Sequence, residues 1–224
     1  MNQTMTSGRQ VLSRRWEYYR VKRLLELALC LLLLPIAVPV LALFSLLIVL
    51  DSPGPSMLVE TRVGKRGRRF RMYKLRTMAW RVDDIVDRAW MRALVNVETG
   101  QVESERVVFK PFRESQVTRV GRILHRTSLD ELPQLINVLK GEMSLIGPRP
   151  SVPWQVDAYK DWHRERLKVS PGITGLAQVN GRTCISFDRI VEYDLEYIES
   201  QSLRMDLMIL WLTVRSVIRA DGAH

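Results

Sequence analysis

The hydrophobic pattern is dominated by one uninterrupted stretch: residues 27–50, LALCLLLLPIAVPVLALFSLLIVL, carry no charge. As a helix it would be about 36 Å long, against about 30 Å for the apolar core of a bilayer. That is too long for an ordinary soluble core helix. A signal peptide fits poorly, because the turn-rich 51-DSPGPS-56 follows rather than a small-residue cleavage site. Pro35 and Pro39 lie near the middle. Pro39 divides the run into two arms of about 18 Å, close to the depth of one leaflet. Proline removes a helical hydrogen bond and crowds the preceding turn, so a kink here has a physical cause. A straight span and a re-entrant hairpin both fit the run, and basic residues at both ends favour the hairpin. Arg14, Arg15, Arg20, Lys22 and Arg23 precede it, and Arg62, Lys65, Arg66, Arg68 and Arg69 follow. A hairpin keeps both clusters on the cytoplasmic side, whereas a span exports one of them.

Beyond the run the pattern changes period. Met57–Val63 and Arg69–Leu75 alternate like strands around 64-GKRG-67, which predicts a basic β-hairpin. Residues 80–97 read as helix, 98-ETGQVES-104 as a polar loop, and 114–125 as helix. A further helix opens at Ser128, and Pro133 should bend or end its first turn. Gly and Pro mark 141–150 and 170–183 as loops, with a helix over 153–169 between them. Two helices are expected over 187–200 and 203–219. The last is apolar along 207-LMILWLTV-214 with arginines at its ends, and suits a core or a membrane-interface position equally. The fold class is therefore α+β, mostly α. The expected division is a basic juxtamembrane segment 1–23, a membrane segment 24–50, a cytoplasmic domain 51–219 and a tail 220–224.

Charge narrows the partners. Lys and Arg number 34 against 24 Asp and Glu, a net +10, which favours nucleic acid, anionic lipid or phosphorylated small molecules. Nucleic acid is disfavoured, since no reading motif or interleaved aromatics accompany the basic segments. The two cysteines, Cys30 and Cys184, make no disulfide framework, and no Cys/His cluster suggests zinc.

The candidate chemistry lies in 127-TSLDELPQL-135, where Asp130 and Glu131 are adjacent. Ser128 with Glu131 also matches a capping box, so capping and catalysis both explain the pair. Successive helical residues point about 100° apart, so the two carboxylates cannot clamp one atom together but can divide the labour. One can attack phosphorus while the other holds a magnesium ion. The 147-GPRP-150 loop presents Arg149 from a stiff backbone, as a phosphate ligand requires. The 170–183 loop supplies Gly172, Gly175 and Gly181 for close backbone approach, and Gln178, Asn180 and Arg182 as polar heads. No Walker loop, dinucleotide fingerprint or nucleophile elbow is present.

Three runs, 73-YKLRTM-78, 118-TRVGRILHRTSLDELPQLINVLKGEMSLIGPRP-150 and 169-VSPGITGLAQVNGR-182, resemble the bacterial sugar transferases, the small monotopic phosphoglycosyl transferases. The resemblance covers about residues 20–219. It implies transfer of a sugar-1-phosphate from a UDP-sugar to a polyprenyl phosphate, usually undecaprenyl phosphate, with release of UMP. This would be the first membrane step of bacterial glycan assembly, at the cytoplasmic face of the inner membrane, feeding downstream glycosyltransferases. It implies Asp130 as nucleophile, Glu131 as Mg²⁺ ligand and Arg149 as phosphate ligand. Lys74, Arg76, Arg126 and Arg182 would contact phosphates or nucleotide, Asp194 and Asp206 would be supporting carboxylates, and Pro39 would be the membrane hinge. The chain departs from the pattern at Val38 and Pro35, where many relatives carry a small polar residue before the hinge, and at His125, where relatives often carry arginine. A degenerate, non-enzymatic relative acting as a scaffold is the rival, and intact Asp130, Glu131 and Arg149 argue against it.

Overall fold

The computed structural model describes residues 3–80, 116–181 and 185–219. The expected helix over 80–97, the loop over 98–104, the start of the 114–125 helix, Arg182 and the tail fall wholly or largely outside the described residues.

The apolar run lies within one helix, α1 (Gln3–Asp51), which carries both Pro35 and Pro39 in its interior. The hinge proline therefore does not interrupt the helix, and a re-entrant path requires a bend within it rather than a loop. One face of α1 is covered by protein between Lys22 and Ile48. Cys30 and Ala37 join the main core with Leu135, Val138, Met143 and Ile146. Further along, Ile48 packs with Leu75 and Leu124, and Leu41 and Phe44 pack against them. The rest of the circumference exposes Leu25, Leu32, Ile36, Leu43, Leu46 and Leu50. A helix apolar all round but covered on one side needs a non-aqueous surrounding for the remainder.

Both ends of the apolar run are fastened to the same globular unit. Just before it, buried Lys22 donates to Ile146 O (2.9 Å) and Tyr197 Oη (2.6 Å), and pairs with Asp206 (3.2 Å). Asp206 also accepts from Tyr18 (2.9 Å) and Tyr197 (2.8 Å). At its end, the buried Arg76 guanidinium donates to Pro53 O (2.6 Å) and Ser52 O (2.8 Å), just beyond the last helical turn. These bonds satisfy carbonyls that a helix end leaves without partners.

The alternating stretches form an antiparallel pair, β1 (Met57–Val63) and β2 (Arg69–Leu75), in register from Met57 opposite Leu75 to Val63 opposite Arg69. Arg66 and Gly67 turn the chain with positive φ (59° and 76°). Next come α2 (Arg119–Thr127), a 3₁₀ turn (Leu129–Glu131) and α3 (Gln134–Lys140). Pro133 stands at the N-cap of α3 and ends the first turn, as expected.

The two glycine-rich stretches are not open loops. They contain β3 (Ser144–Ile146) and β4 (Gly172–Thr174), a short parallel pair, and α5 (Leu176–Asn180) follows. Beyond the strands the chains stay interlocked: Gly147 N donates to Thr174 O (2.9 Å) and Gly172 N to Pro148 O (2.9 Å). A Cβ on Gly172 would lie 2.1 Å from Gly147 N, so the glycines permit backbone to meet backbone rather than ligand. The helix expected over 153–169 is divided into α4 (Pro153–Asp157) and a 3₁₀ helix (Asp161–Lys168). Two long helices, α6 (Phe187–Glu199) and α7 (Leu203–Arg219), close the chain. Leu207, Met208, Trp211 and Val214 form an exposed stripe on α7, so that helix is not a core helix throughout.

Candidate active site

The acidic pair is set by how α2 ends. Thr118 caps its start, accepting from Gly121 N (2.9 Å). Its last turn stops at Ser128, whose backbone is left-handed (φ 56°, ψ 17°) and whose N–H returns to His125 O. Ser128 makes no side-chain cap to the following turn, which corrects the capping-box expectation. A capping serine needs extended backbone, and this one is already spent closing the helix before it. The tight turn beyond it sends the two carboxylates to different partners. Asp130, 2% exposed, has Oδ2 2.7 Å from Lys74 Nζ on β2. Glu131 Oε1 lies 3.1 Å from Arg149 Nη1. Thus four of the residues expected in the site, Lys74, Asp130, Glu131 and Arg149, come together as two neighbouring ion pairs.

Two residues that sequence reasoning missed hold these pairs in place. Asn137 is fully buried on α3; its Oδ1 accepts from Tyr73 N (3.2 Å) and its Nδ2 donates to Arg71 O (2.6 Å). It thereby clamps β2 just before Lys74 to the helix that follows Asp130. Arg166, 4% exposed, donates to Arg149 O (3.0 Å), Ser151 Oγ (3.0 Å) and Tyr159 Oη (2.8 Å), and pairs with Asp194 at 2.6 Å. Asp194 is thus a supporting carboxylate at one remove, acting on the Arg149 loop through Arg166. Burial pushes its carboxyl up to about 6, against the opposing pull of Arg166. No pattern in 161-DWHRERLK-168 separates Arg166 from its exposed charged neighbours.

His125 stands one turn before the pair. Burial holds its imidazole below the ordinary range despite the nearby Asp130 charge, so it is neutral at pH 7. The remaining candidates are placed elsewhere. Arg76 is committed to the end of α1, and Asp206 to Lys22. Arg126 is exposed at the end of α2. Asn180 donates to Leu176 O in its own helix, and Gln178, among the described residues, donates to Ile173 O (3.5 Å). Pro35 and Pro39 lie within α1 and are exposed.

The comparisons with known proteins bear on this arrangement. A family model described as "Bacterial sugar transferase" matches residues 17–220. The chain is 37% identical over 204 residues to "Undecaprenyl-phosphate galactose phosphotransferase" of Salmonella typhimurium, covering 91% of this chain and 42% of that relative. It is 39% identical over 211 residues to "UDP-glucose:undecaprenyl-phosphate glucose-1-phosphate transferase" of Caulobacter vibrioides, covering 91% of this chain and 72% of the relative. It is 36% identical over 203 residues to "Uncharacterized sugar transferase EpsL" of Bacillus subtilis, covering 90% and 89%. The chain spans less than half the length of the Salmonella relative, and most of the length of the other two. With the match running from within α1 to the end of α7, the chain belongs to the bacterial sugar transferase family.

Proposed function

We propose that this chain transfers a sugar-1-phosphate from a UDP-sugar to undecaprenyl phosphate and releases UMP, through a covalent intermediate on Asp130. The observation that carries the reading is a buried Asp130 beside Lys74, with the Glu131–Arg149 pair next to it. A carboxylate oxygen is itself a nucleophile and carries no proton for a base to remove. An Asp130 oxygen forms a bond to the sugar-bearing phosphorus while the bond from that phosphorus to the bridging oxygen breaks, and UMP departs with the electron pair. An oxygen of polyprenyl phosphate then attacks the same phosphorus and the Asp130 carboxylate leaves, giving a polyprenyl diphosphate sugar. Lys74 orients the nucleophile, and Arg149, exchanging Glu131 for substrate, offers a forked donor to the diphosphate.

Magnesium suits the donor set. The Glu131 carboxylate is a hard oxygen ligand, and Mg²⁺ commonly takes one or two carboxylates with phosphate oxygens completing its shell. Glu131, with its side chain 18% exposed, is the ligand that solvent and substrate can reach. When bound, the ion would neutralise charge on the diphosphate.

A lipid acceptor also requires contact with the bilayer, which α1 supplies. Docking on both sides of its apolar run, through Lys22 and beyond Ile48, favours the re-entrant path. A straight span would carry the same globular unit through the apolar layer along with the helix. The positive flanks favour the cytoplasmic face for that unit, from which the lipid-linked sugar would pass to later glycosyltransferases.

The test is intact-protein mass spectrometry after incubation with Mg²⁺ and a panel of UDP-sugars, without acceptor, following UMP in parallel. A sugar-phosphate adduct that is absent in Asp130→Ala is expected, discharged on adding undecaprenyl phosphate. No adduct and no UMP across the panel, with acceptor then added, would overturn the reading.

A further inference from the structure

A second basic feature stands apart from the transfer site. Between the 19–26 stretch of α1 and the tip of the β1–β2 pair lies a cavity of about 110 Å³, several times the ~10–15 Å³ needed to admit one water. Tyr19, Arg23, Lys65, Ser170 and Gln201 contribute to its wall, and none of Lys74, Asp130, Glu131 and Arg149 does. We propose that this cavity binds the phosphate headgroup of an anionic membrane phospholipid.

Depth supports a headgroup. Arg23 is followed directly by the exposed Leu24 and Leu25, and Trp16, 64% exposed, lies two turns earlier. Aromatic and basic residues at the edge of an apolar helix mark the interfacial layer. That layer is about 5–7 Å deep on each side, close to one helical turn. The tip of the β pair is held at the same level, because Lys65 Nζ lies over the Tyr19 ring at 5.5 Å. Arg66, Arg68 and Arg69 are exposed beside it.

The charges in the wall are not equivalent. Lys22 is already matched by Asp206 and Glu26. Arg23 uses its guanidinium on two carbonyls, Val138 O (2.7 Å) and Leu139 O (3.2 Å), so three of its five N–H donors remain. Neither Arg23 nor Lys65 has a carboxylate partner within ion-pair distance among the described residues. Glu26, the carboxylate in the wall, faces Lys22 (3.8 Å), and Tyr19 Oη donates to Gln201 Oε1 (2.6 Å). That leaves two cations without carboxylate partners among the described residues, together with the Ser170 hydroxyl and the Gln201 amide, around a small space that suits a phosphodiester. The exposed leucines of α1 offer its chains an apolar surface.

Occupancy would bear on the transfer site through two elements. Arg23 holds the last carbonyls of α3, whose other end follows Asp130, and the wall residues Ser144 and Ile146 lie on β3, just before the Arg149 loop.

The experiment is native mass spectrometry of the delipidated protein in detergent with equimolar phosphatidylglycerol and phosphatidylcholine. Phosphatidylglycerol should be retained preferentially. Lys65→Gln and Arg23→Gln should each weaken that preference about fivefold, the factor for one basic residue beside an anionic headgroup. Arg122→Gln, on the exposed side of α2, should leave it unchanged. Among the described residues the Lys65 side chain makes no hydrogen bond, only the Tyr19 ring contact, so its variant keeps the test valid if Arg23→Gln unfolds. Equal retention of the two lipids would overturn the proposal. So would an effect of Arg122→Gln equal to that of Lys65→Gln, or equal displacement by glycerol-1-phosphate, which would make the ligand a free phosphate. The readout needs no turnover, so its failure is separate from failure of the proposed activity.

Discussion

Replacing Arg166 tests whether the Arg149 loop is held from behind. Arg166→Leu leaves Asp194 buried at 1% exposure without the cation now 2.6 Å away. Breaking a buried pair by removing one partner costs about 3–5 kcal/mol, part of which Asp194 avoids by taking up a proton. The double variant Arg166→Leu/Asp194→Leu removes both charges and should recover most of that stability, since buried pairs exchange for apolar groups at little net cost. The bond from Arg166 to Arg149 O at 3.0 Å does not come back with it. A hydrogen bond to a charged donor contributes about 1.5–3 kcal/mol. If that anchoring matters for substrate geometry, turnover of the double variant stays about tenfold or more below wild type. Thermal unfolding in detergent and the rate of UMP release, measured on wild type and both variants, separate the two effects. A double variant that regains wild-type turnover along with its stability would refute the anchoring role.

Two further outcomes follow from the geometry. Gly172→Ala should cost about 3 kcal/mol or more, because its Cβ would lie 2.1 Å from Gly147 N. Gly67→Ala, at positive φ but with open space around it, should cost only about 1–2 kcal/mol, as comparative thermal midpoints will show. Asp194 also makes stability depend on pH. Its folded-state carboxyl, pushed up to about 6, holds a proton that the unfolded chain has already released. Its contribution to stability therefore falls as pH rises from about 4 to about 6 and is flat above. Asp194→Asn should remove that slope from the midpoints, and an unchanged slope would assign it to another group.

Where the sequence was legible, the deciding interactions were local. Met57–Val63 and Arg69–Leu75 alternate, and the short basic turn between them fixes which residues face each other. The closing helices were likewise readable from their own period. Ser128 shows the limit of local reading. The pattern of a serine three residues before a glutamate fits a capping box, but the same serine also ends α2, and one backbone cannot be left-handed and extended together. The glycine-rich stretches failed for a different reason. A glycine records that something comes close without saying what, and the neighbour of Gly172 is Gly147, far away in sequence.

The acidic pair was found from residue type, but its division of labour depends on partners that adjacency does not reveal. Asp130 is directed to a strand through Lys74, and Glu131 to a loop through Arg149. Each partner has its own support, Asn137 behind β2 and Arg166 behind the loop, both uncharged or compensated and therefore silent in a count of charges. Counting misleads in the same way at the membrane. Lys22 enters the positive flank of the apolar run, yet it is buried between Asp206, Glu26 and Tyr197 and presents no net charge to lipid. The orienting charge at that edge belongs instead to Arg23 and to the tip of the β pair, which the fold brings back beside Tyr19. Positive charge from both sides of the apolar run thus converges on one level of α1, where the proposed headgroup site would join the basic ribbon to a lipid surface.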